Sequence, residues 1–271
     1  MYGNINAKPF IKWAGGKKWL IKSLVNINLT NYSSYHEPFF GGGAVFFHLM
    51  PKMAFLSDVN SELINTYLQV KHNVFELISA LSRFKNQEKE YYKIRSTIFK
   101  SNIERAARFI YLNKCCFNGL YRVNKNNIFN VPYGFNNSSI FNAVDLINAS
   151  QSLKNAKIRM LDFEKTIDNI KENDLVFIDP PYVTSHQNNG FVAYNQKVFS
   201  WDDQKRLKRF IGSIKDINAY FVMTNAKHIS IQSIYKGIGH YKTLSRNSTI
   251  GGTNASRGKI NELIFTNIKQ L

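Results

Sequence analysis

The sequence predicts an α/β protein with a doubly wound, mainly parallel sheet, and three features lead to that prediction. Short uninterrupted apolar runs, such as residues 175–178, are typical of strands buried on both faces. Helical patterns, such as the amphipathic residues 61–82, alternate with these runs. Two runs end at a glycine-rich or proline-rich motif, and ligands bind at such strand ends in open parallel sheets.

The elements follow one another along all 271 residues, enough for one large domain or a domain with an insertion. Strands are predicted at residues 35–40, 54–57, 157–161, 175–178, 220–223 and 263–265. Helices are predicted at residues 19–25, 44–50, 61–82, 85–108 and 202–214. Residues 245–259 are predicted to be a loop near phosphates or a solvated connection.

The strongest candidate site is Asp179-Pro180-Pro181-Tyr182, directly after the strand at residues 175–178. The prolines fix the backbone and lack N–H donors. The Asp179 carboxylate and the Pro180 carbonyl could then accept the two hydrogens of an exocyclic amine while Tyr182 stacks on its ring. A loop in which Asp179 caps a helix is the alternative on these four residues alone. A following polar loop could close over an inserted base through aromatic side chains, namely Phe191, Tyr194 and Phe199.

A second candidate site is the glycine turn Gly41-Gly42-Gly43 between a predicted strand and helix. Asp58 ends the next strand, where nucleotide-binding folds place a carboxylate for the ribose hydroxyls. Because Phe46 occupies the last glycine position of the dinucleotide fingerprint, S-adenosylmethionine fits this turn better than NAD. The alternative role of Asp58 is to cap a helix.

The segment Trp13-Ala14-Gly15-Gly16-Lys17 is not a phosphate-binding loop, because Ile11 occupies the required earlier glycine. Instead, Trp13 offers an apolar wall and Lys17 a positive charge for a carboxylate. A purely structural turn is the alternative.

The charge predicts a polyanionic partner, since 36 Lys and Arg against 18 Asp and Glu give a net charge of +18. Nucleic acid is the simplest such partner, and a solvated lysine-rich surface is the alternative. Residues 122–134 read as a basic, Asn-rich hairpin after the Asn118-Gly119 turn. Arginine and asparagine read guanine and adenine edges, although asparagine also serves turn geometry.

Other classes are excluded or not indicated by the residues. The adjacent Cys115 and Cys116 are expected to be buried thiols, and the six scattered histidines predict no metal site. No apolar run approaches a membrane span, and residues 1–6 do not resemble a signal peptide. We therefore expect a cytoplasmic protein, monomeric by default.

Five motifs in order make the chain resemble Dam-type DNA adenine-N6 methyltransferases, the D12 class or alpha group, over nearly its whole length. They are residues 12–17 (KWAGGK), 37–43 (EPFFGGG), 118–122 (NGLYR), 129–134 (FNVPYG) and 179–182 (DPPY). The resemblance implies a Rossmann-like fold that uses S-adenosylmethionine. It also implies a catalytic domain of residues 1–72 and 145–271, and a mostly helical target-recognition insertion, residues 73–144, with a β-hairpin. The expected partner is double-stranded DNA, commonly at GATC, with the enzyme located on DNA in the cytoplasm.

The resemblance also implies roles for individual residues. A flipped adenine would be held by Asp179, Pro180, Pro181 and Tyr182. The cofactor would contact Trp13, Ala14, Gly15, Lys17, Glu37, Pro38, Phe39, Gly41, Gly43, Asp58, Asp162, Phe163 and Asp179. DNA would contact Lys12, Asn118, Leu120, Arg122, Asn124 and Pro132. Residues 135–138 lack the basic side chain of some relatives, which leaves phosphate contacts there open.

Three competing functions are considered. A cytosine-C5 methyltransferase needs an activated cysteine, commonly after proline, but Cys115 follows Lys114. Enzymes acting on RNA or on protein glutamine could use a similar motif, typically beginning with asparagine, and Asp179 and the basic insertion argue against protein substrates. A DNA-binding protein on an inactive methyltransferase fold would be distinguished by cofactor binding.

Overall fold

A computed structural model describes residues 7–21, 32–126, 128–135, 139–182, 199–247 and 259–269. The fold is mixed α/β, as predicted, and its sheet has seven strands among the described residues. The predicted target-recognition insertion and its boundaries remain predictions. Within the described ranges, no helix is both long enough and apolar enough to cross a membrane.

The sheet has the order β3-β2-β1-β4-β5-β7-β6. Its strands are β1 (Tyr35–Glu37), β2 (Ala54–Asp58), β3 (Ala156–Met160), β4 (Leu175–Ile178), β5 (Tyr220–Ala226), β6 (His240–Asn247) and β7 (Lys259–Thr266). Strand β4 runs parallel to both β1 and β5, and β7 runs antiparallel to β5 and β6. All four residues of β4 are buried, which confirms the prediction of a strand covered on both faces.

The described helices are α1 (Ala44–Leu49), α2 (Ser61–His72), α3 (Val74–Leu81), α4 (Glu88–Ser96), α5 (Asn102–Cys115), α6 (Ala143–Leu153), α7 (Trp201–Asp216) and α8 (Ile229–Ile234). Short 3₁₀ helices span Phe117–Gly119 and Phe163–Asn169. Helix α7 begins with a capping box in which Ser200 and Asp203 satisfy each other's backbone N–H groups.

The chain divides into two compact units. The first unit comprises residues 1–18, 40–52 and 56–160, and the second comprises residues 19–39, 53–55 and 161–271. The first contains the helices α1 to α6, with buried tyrosines such as Tyr67, Tyr91 and Tyr111. The second packs β4, β5 and β7 against α7 and α8, through apolar side chains that include Val176, Phe221 and Phe265.

Two single-helix predictions are wrong, because each segment forms two helices. Residues 61–82 break at Asn73, whose φ of −135° is not helical and whose side-chain amide donates to the Gln69 side chain. Residues 85–108 break after α4, where Thr97 is extended. The second helix of that segment, α5, then continues to Cys115 because residues 109–112 have a buried apolar face.

The prediction of a loop over residues 245–259 is wrong at both ends. Strand β6, which the sequence analysis missed, extends to Asn247, and β7 begins at Lys259. The rest of that segment lies outside the described residues. So do most of the helix predicted at residues 19–25, the aromatic residues Phe191 and Tyr194, and residues 136–138.

Candidate functional site

In the second unit, Asp179 stands at the carboxyl end of β4, where the sequence placed it. Its side chain is half-buried, and its Oδ1 accepts a hydrogen bond of 2.6 Å from the hydroxyl of Thr224 on β5. Thr224 is fully buried, so this donor is held rigidly. Since each carboxylate oxygen has two lone pairs, the Asp179 carboxylate can accept from a substrate amine in addition to Thr224.

Tyr182 follows the buried Pro180 and the half-buried Pro181, and its hydroxyl donates to Glu262 Oε2 on β7 at 2.6 Å. Burial raises the pKa of Tyr182 well above its usual value, and the negative charges of Asp179 and Glu262 add to that effect. The phenol therefore stays neutral and remains a donor.

Glu37 and Pro38, at the end of β1, are buried. Glu37 Oε2 accepts a 2.7 Å hydrogen bond from Tyr35, whose pKa is raised mainly by its complete burial. Phe39 stacks on Phe163 with ring centres 5.2 Å apart. Of this group, Phe39 keeps a partly exposed surface that could meet a ligand.

Arg206 of α7 contacts both Asp162 and Phe163. The guanidinium donates to Asp162 Oδ1 at 2.8 Å and lies 4.9 Å from the centre of the Phe163 ring. Phe163 is only 3% exposed, with Phe39 stacked on it as well. A role for Phe163 in holding a cofactor is therefore restricted to its edge and backbone, whereas Asp162 keeps Oδ2 available.

In the first unit, the glycine turn lies directly against Trp13. A Cβ atom added at Gly41 would come within 2.8 Å of the indole, and one at Gly42 within 2.9 Å of the Trp13 Cβ. Gly41 and Gly43 also have φ of 47° and 65°, which disfavour side chains. The turn thus leads into α1, as predicted, and its glycines let the backbone pack directly against the Trp13 side chain.

Both carboxylate oxygens of Asp58 accept a hydrogen bond of 3.0 Å, one from the backbone N–H of Gly41 and the other from the backbone N–H of Asn60. Burial nevertheless raises its pKa. Each oxygen has a second lone pair, so the half-exposed carboxylate can still accept a pair of ribose hydroxyls. The rigid turn and this carboxylate fit S-adenosylmethionine.

Ala14 and Gly15 are exposed, whereas Lys17 is 3% exposed and donates to the Gly15 carbonyl at 2.7 Å. The Lys17 ammonium therefore contacts the backbone of its own loop. An ammonium group carries three donors, so this contact leaves capacity for the carboxylate that the sequence predicts as its partner.

The predicted Asn118-Gly119 turn is present, with φ of 55° and 65°. Gly119 is required there, since a Cβ would lie 2.3 Å from a Lys12 side-chain carbon. Asn113, at the end of α5, is fully buried and holds both segments. It accepts from the Lys12 N–H, and it donates to the Lys12 and Gly119 carbonyls.

The segment predicted as a hairpin contains two isolated antiparallel bridges, Cys116 to Tyr133 and Val123 to Phe129, without regular strands among its described residues. Arg122 is exposed and uses its Nε to bond Asn130, which leaves the two terminal nitrogens for a fork-shaped contact. Asn124 uses its oxygen to hold the loop, through the N–H groups of Asn126 and Ile128. Asn118 and Pro132 are exposed, and Leu120 is half-buried.

Trp13 stacks with Tyr121 at 5.6 Å and with Phe109 at 6.4 Å between ring centres. Trp13, which was predicted to face the cofactor, therefore packs on Tyr121, the residue directly before Arg122. The sequence analysis missed Tyr121 and Asn113, as it missed Thr224, Glu262 and Arg206. One available signal was the acidic Glu262 directly before the apolar run of residues 263–265.

Cys115 and Cys116 are both buried, as predicted, and burial raises the pKa of each thiol to about 12. Neither is suited to act as a nucleophile near neutral pH. Across the ranges that the structure describes, no group of three or more His, Cys, Asp or Glu side chains could hold a metal ion.

The acceptor motif at a strand end and the glycine turn with its carboxylate are the features of an α/β methyltransferase. Comparison with known proteins makes this specific. The chain belongs to the D12 class N6 adenine-specific DNA methyltransferases, whose family model matches residues 13–250. The resemblance drawn from the five motifs is thereby confirmed.

Relatives of this chain include proteins named Type II methyltransferases and DNA adenine methylases. It is 39% identical to the Type II methyltransferase M1.LlaDCHI of Lactococcus lactis subsp. cremoris, over 97% of this chain and 96% of that protein. It is 36% identical to the Type II methyltransferase M.MjaIII of Methanocaldococcus jannaschii, over 97% and 100%. It is 31% identical to the DNA adenine methylase of Haemophilus influenzae, over 95% and 92%.

Proposed function

We propose that this protein transfers a methyl group from S-adenosylmethionine to N6 of an adenine flipped out of double-stranded DNA, within GATC. The observation that carries the proposal is the Asp179 to Tyr182 motif at the end of β4, supported from the adjacent part of the sheet by Thr224 and Glu262. Family membership supports the reaction class.

The two hydrogen-bond acceptors of the motif would activate the N6 amine of adenine for methyl transfer. The N6 amine is a poor nucleophile because its lone pair is delocalised into the ring. Asp179 and the Pro180 carbonyl would each accept one N6 hydrogen, which directs the lone pair, while Tyr182 stacks on the base. S-adenosylmethionine, when bound, supplies an electrophilic sulfonium methyl group. The N6 lone pair would attack the methyl carbon directly as the carbon–sulfur bond breaks. The thioether S-adenosylhomocysteine would leave, the surplus N6 proton would pass to water, and no covalent bond to the enzyme would form.

Cofactor binding is assigned to the residues that the family resemblance implies. The glycine turn, Trp13 and Asp58 would take the nucleoside, with Lys17 for the carboxylate. Asp162 would accept from the adenine amine through Oδ2. The cofactor identity is supported by the absence of a pyrophosphate-type third glycine and by the methyltransferase family.

DNA reading is assigned to residues 118–134 together with Lys12. The net charge of +18 supports a phosphate-bearing partner, and Arg122 presents a guanidinium fork for a guanine. We propose GATC because Leu120, Arg122 and Pro132 match the recognition positions of Dam-type enzymes. We also propose residues 73–144 as the recognition insertion, a cytoplasmic location on DNA, no metal requirement and a monomeric state.

The test is methyl transfer from labelled S-adenosylmethionine to plasmid DNA, followed by nucleases that distinguish methylated from unmethylated GATC. We expect label in N6-methyladenine and protection of GATC. Label without protection would refute the target sequence alone, and no label in DNA would refute the reaction. Asp179→Ala should abolish turnover while DNA binding is partly retained, and full activity would contradict its role.

A further inference from the structure

Glu262 is a carboxylate in a place that normally excludes charge. It is 1% exposed in strand β7, and the next three residues of the strand, Leu263, Ile264 and Phe265, are equally buried and apolar. Burying a carboxylate is costly unless it is hydrogen-bonded, so its partners matter. One partner is the hydroxyl of Tyr182, at 2.6 Å.

The register of the sheet places the Glu262 to Tyr182 contact close to Thr224, the residue that bonds Asp179 at the other end of the motif. Strand β7 pairs with β5, with Glu262 opposite Ala226 and Ile264 opposite Thr224. Thr224 donates to Asp179 and also hydrogen-bonds Tyr182, and Glu262 accepts from Tyr182, so neighbouring strands fix both functional side chains of one four-residue motif.

We propose that Glu262 is a positioning residue for methyl transfer, which fixes the plane of the Tyr182 ring against which the target base stacks. This inference rests on the proposed function. Without a contact at its hydroxyl, a tyrosine ring can rotate about the two side-chain torsions that link it to the backbone. Anchoring the hydroxyl at the far end of the ring removes that freedom and sets the height and tilt of the stacked base.

The geometry has a kinetic consequence. Direct transfer requires the amine to approach the methyl group in a narrow range of distances and angles, and small displacements slow such reactions strongly. DNA binding depends mainly on phosphate and base-edge contacts elsewhere. Loss of the anchor should therefore lower the rate of methyl transfer and leave the KM for DNA nearly unchanged.

Four variants test this, using the full chain, labelled S-adenosylmethionine and plasmid DNA, with the transfer rate measured under single-turnover conditions and KM for DNA measured in the steady state. Glu262→Leu and Tyr182→Phe each remove the hydrogen bond, and we expect each to lower the rate about tenfold with KM changed less than about twofold. Glu262→Gln keeps an acceptor oxygen and should stay within about threefold of the wild-type rate.

The fourth variant is a matched control. Tyr235 is another buried tyrosine of the second unit, and its hydroxyl donates to the Gln204 side chain at 2.5 Å. Tyr235→Phe removes a buried tyrosine hydrogen bond outside the motif. We expect some loss of thermal stability and a rate within about twofold of wild type.

The outcomes separate the hypotheses. Equal rates for the wild type, Glu262→Leu and Tyr182→Phe would overturn the positioning role, as would equal rate losses in Tyr182→Phe and Tyr235→Phe. If Glu262→Leu does not fold, the comparison of Tyr182→Phe with Tyr235→Phe decides the question. Absence of label in DNA with the wild-type protein would instead refute the proposed function.

Discussion

Replacing Asn113 by alanine should destabilise the first unit more than most single substitutions of this size. The side chain is fully buried and makes hydrogen bonds of 2.7 Å to the Lys12 N–H, 2.7 Å to the Lys12 carbonyl and 3.3 Å to the Gly119 carbonyl. Alanine leaves three backbone groups without this partner, at about 1 kcal/mol each and about 3 kcal/mol together. For a chain of this size that corresponds to roughly 6–12 °C in Tm.

The assay is thermal unfolding followed by circular dichroism, at neutral pH and fixed protein concentration. Asn65→Ala is the control, since Asn65 is half-buried and donates to the Asn102 carbonyl at 2.9 Å. The control should lose less than about 1 kcal/mol. A loss in Asn113→Ala no larger than in the control would refute the reasoning.

Asn113→Asp sharpens the test through its pH dependence. Aspartate can still accept from the Lys12 N–H, but its second oxygen faces the Lys12 and Gly119 carbonyls. Burial and these carbonyls should raise the folded-state pKa of the new carboxyl above its unfolded value of about 3.9. Its stabilising contribution is then fully present below that unfolded value and is lost as pH rises through the folded pKa. Relative to wild type, the variant should be least stable at neutral pH, and a constant difference between pH 3.5 and 7 would contradict this.

Three further predictions concern the reaction and its specificity. Thr224→Val removes the donor to Asp179 and should lower the methyl-transfer rate about tenfold, with Thr224→Ser near wild type; equal rates in Val and Ser variants would contradict the contact's role. Arg122→Ala should reduce discrimination at one base pair by about 1–3 kcal/mol, measured as rate ratios on single-substituted sites, and unchanged ratios would refute it. Because burial raises the pKa of Cys115 and Cys116 to about 12, iodoacetamide should alkylate both slowly at pH 7.5 until the protein is unfolded, and rapid labelling of the native protein would refute their burial.

The elements that follow local patterns could be predicted from the sequence. The uninterrupted apolar run of β4 and its abrupt end at Asp179 needed no tertiary information, and neither did the glycine turn before α1. The breaks between helices could not be predicted from apolar spacing alone. Asn73 interrupts the helical pattern of residues 61–82 with a non-helical φ of −135°, although apolar spacing continues past it.

The residues that support the site could not be found this way, because they are distant in sequence. Thr224 is 45 residues from Asp179, and Glu262 is 80 residues from Tyr182. Only the pairing of β4 with β5 and of β5 with β7 brings them together. Asn113 likewise lies 101 residues from Lys12. A polar side chain at the end of an apolar run marks such a residue without indicating which partner it contacts.

The distribution of charge gives the proposed reaction a selectivity of its own. The chain carries a net charge of +18, yet among the described residues of the second unit the motif's own Asp179 is joined by two further carboxylates: Glu262 bonded to Tyr182, and Glu37 bonded to Tyr35. The negative charges of Glu37 and Asp179 both raise the pKa of Tyr35, which shows that they act on the same buried region. A phosphate would be repelled there, whereas a neutral base with an amino group would find acceptors. Under the proposed function, basic residues elsewhere attract the DNA backbone, and this acidic site admits the base alone.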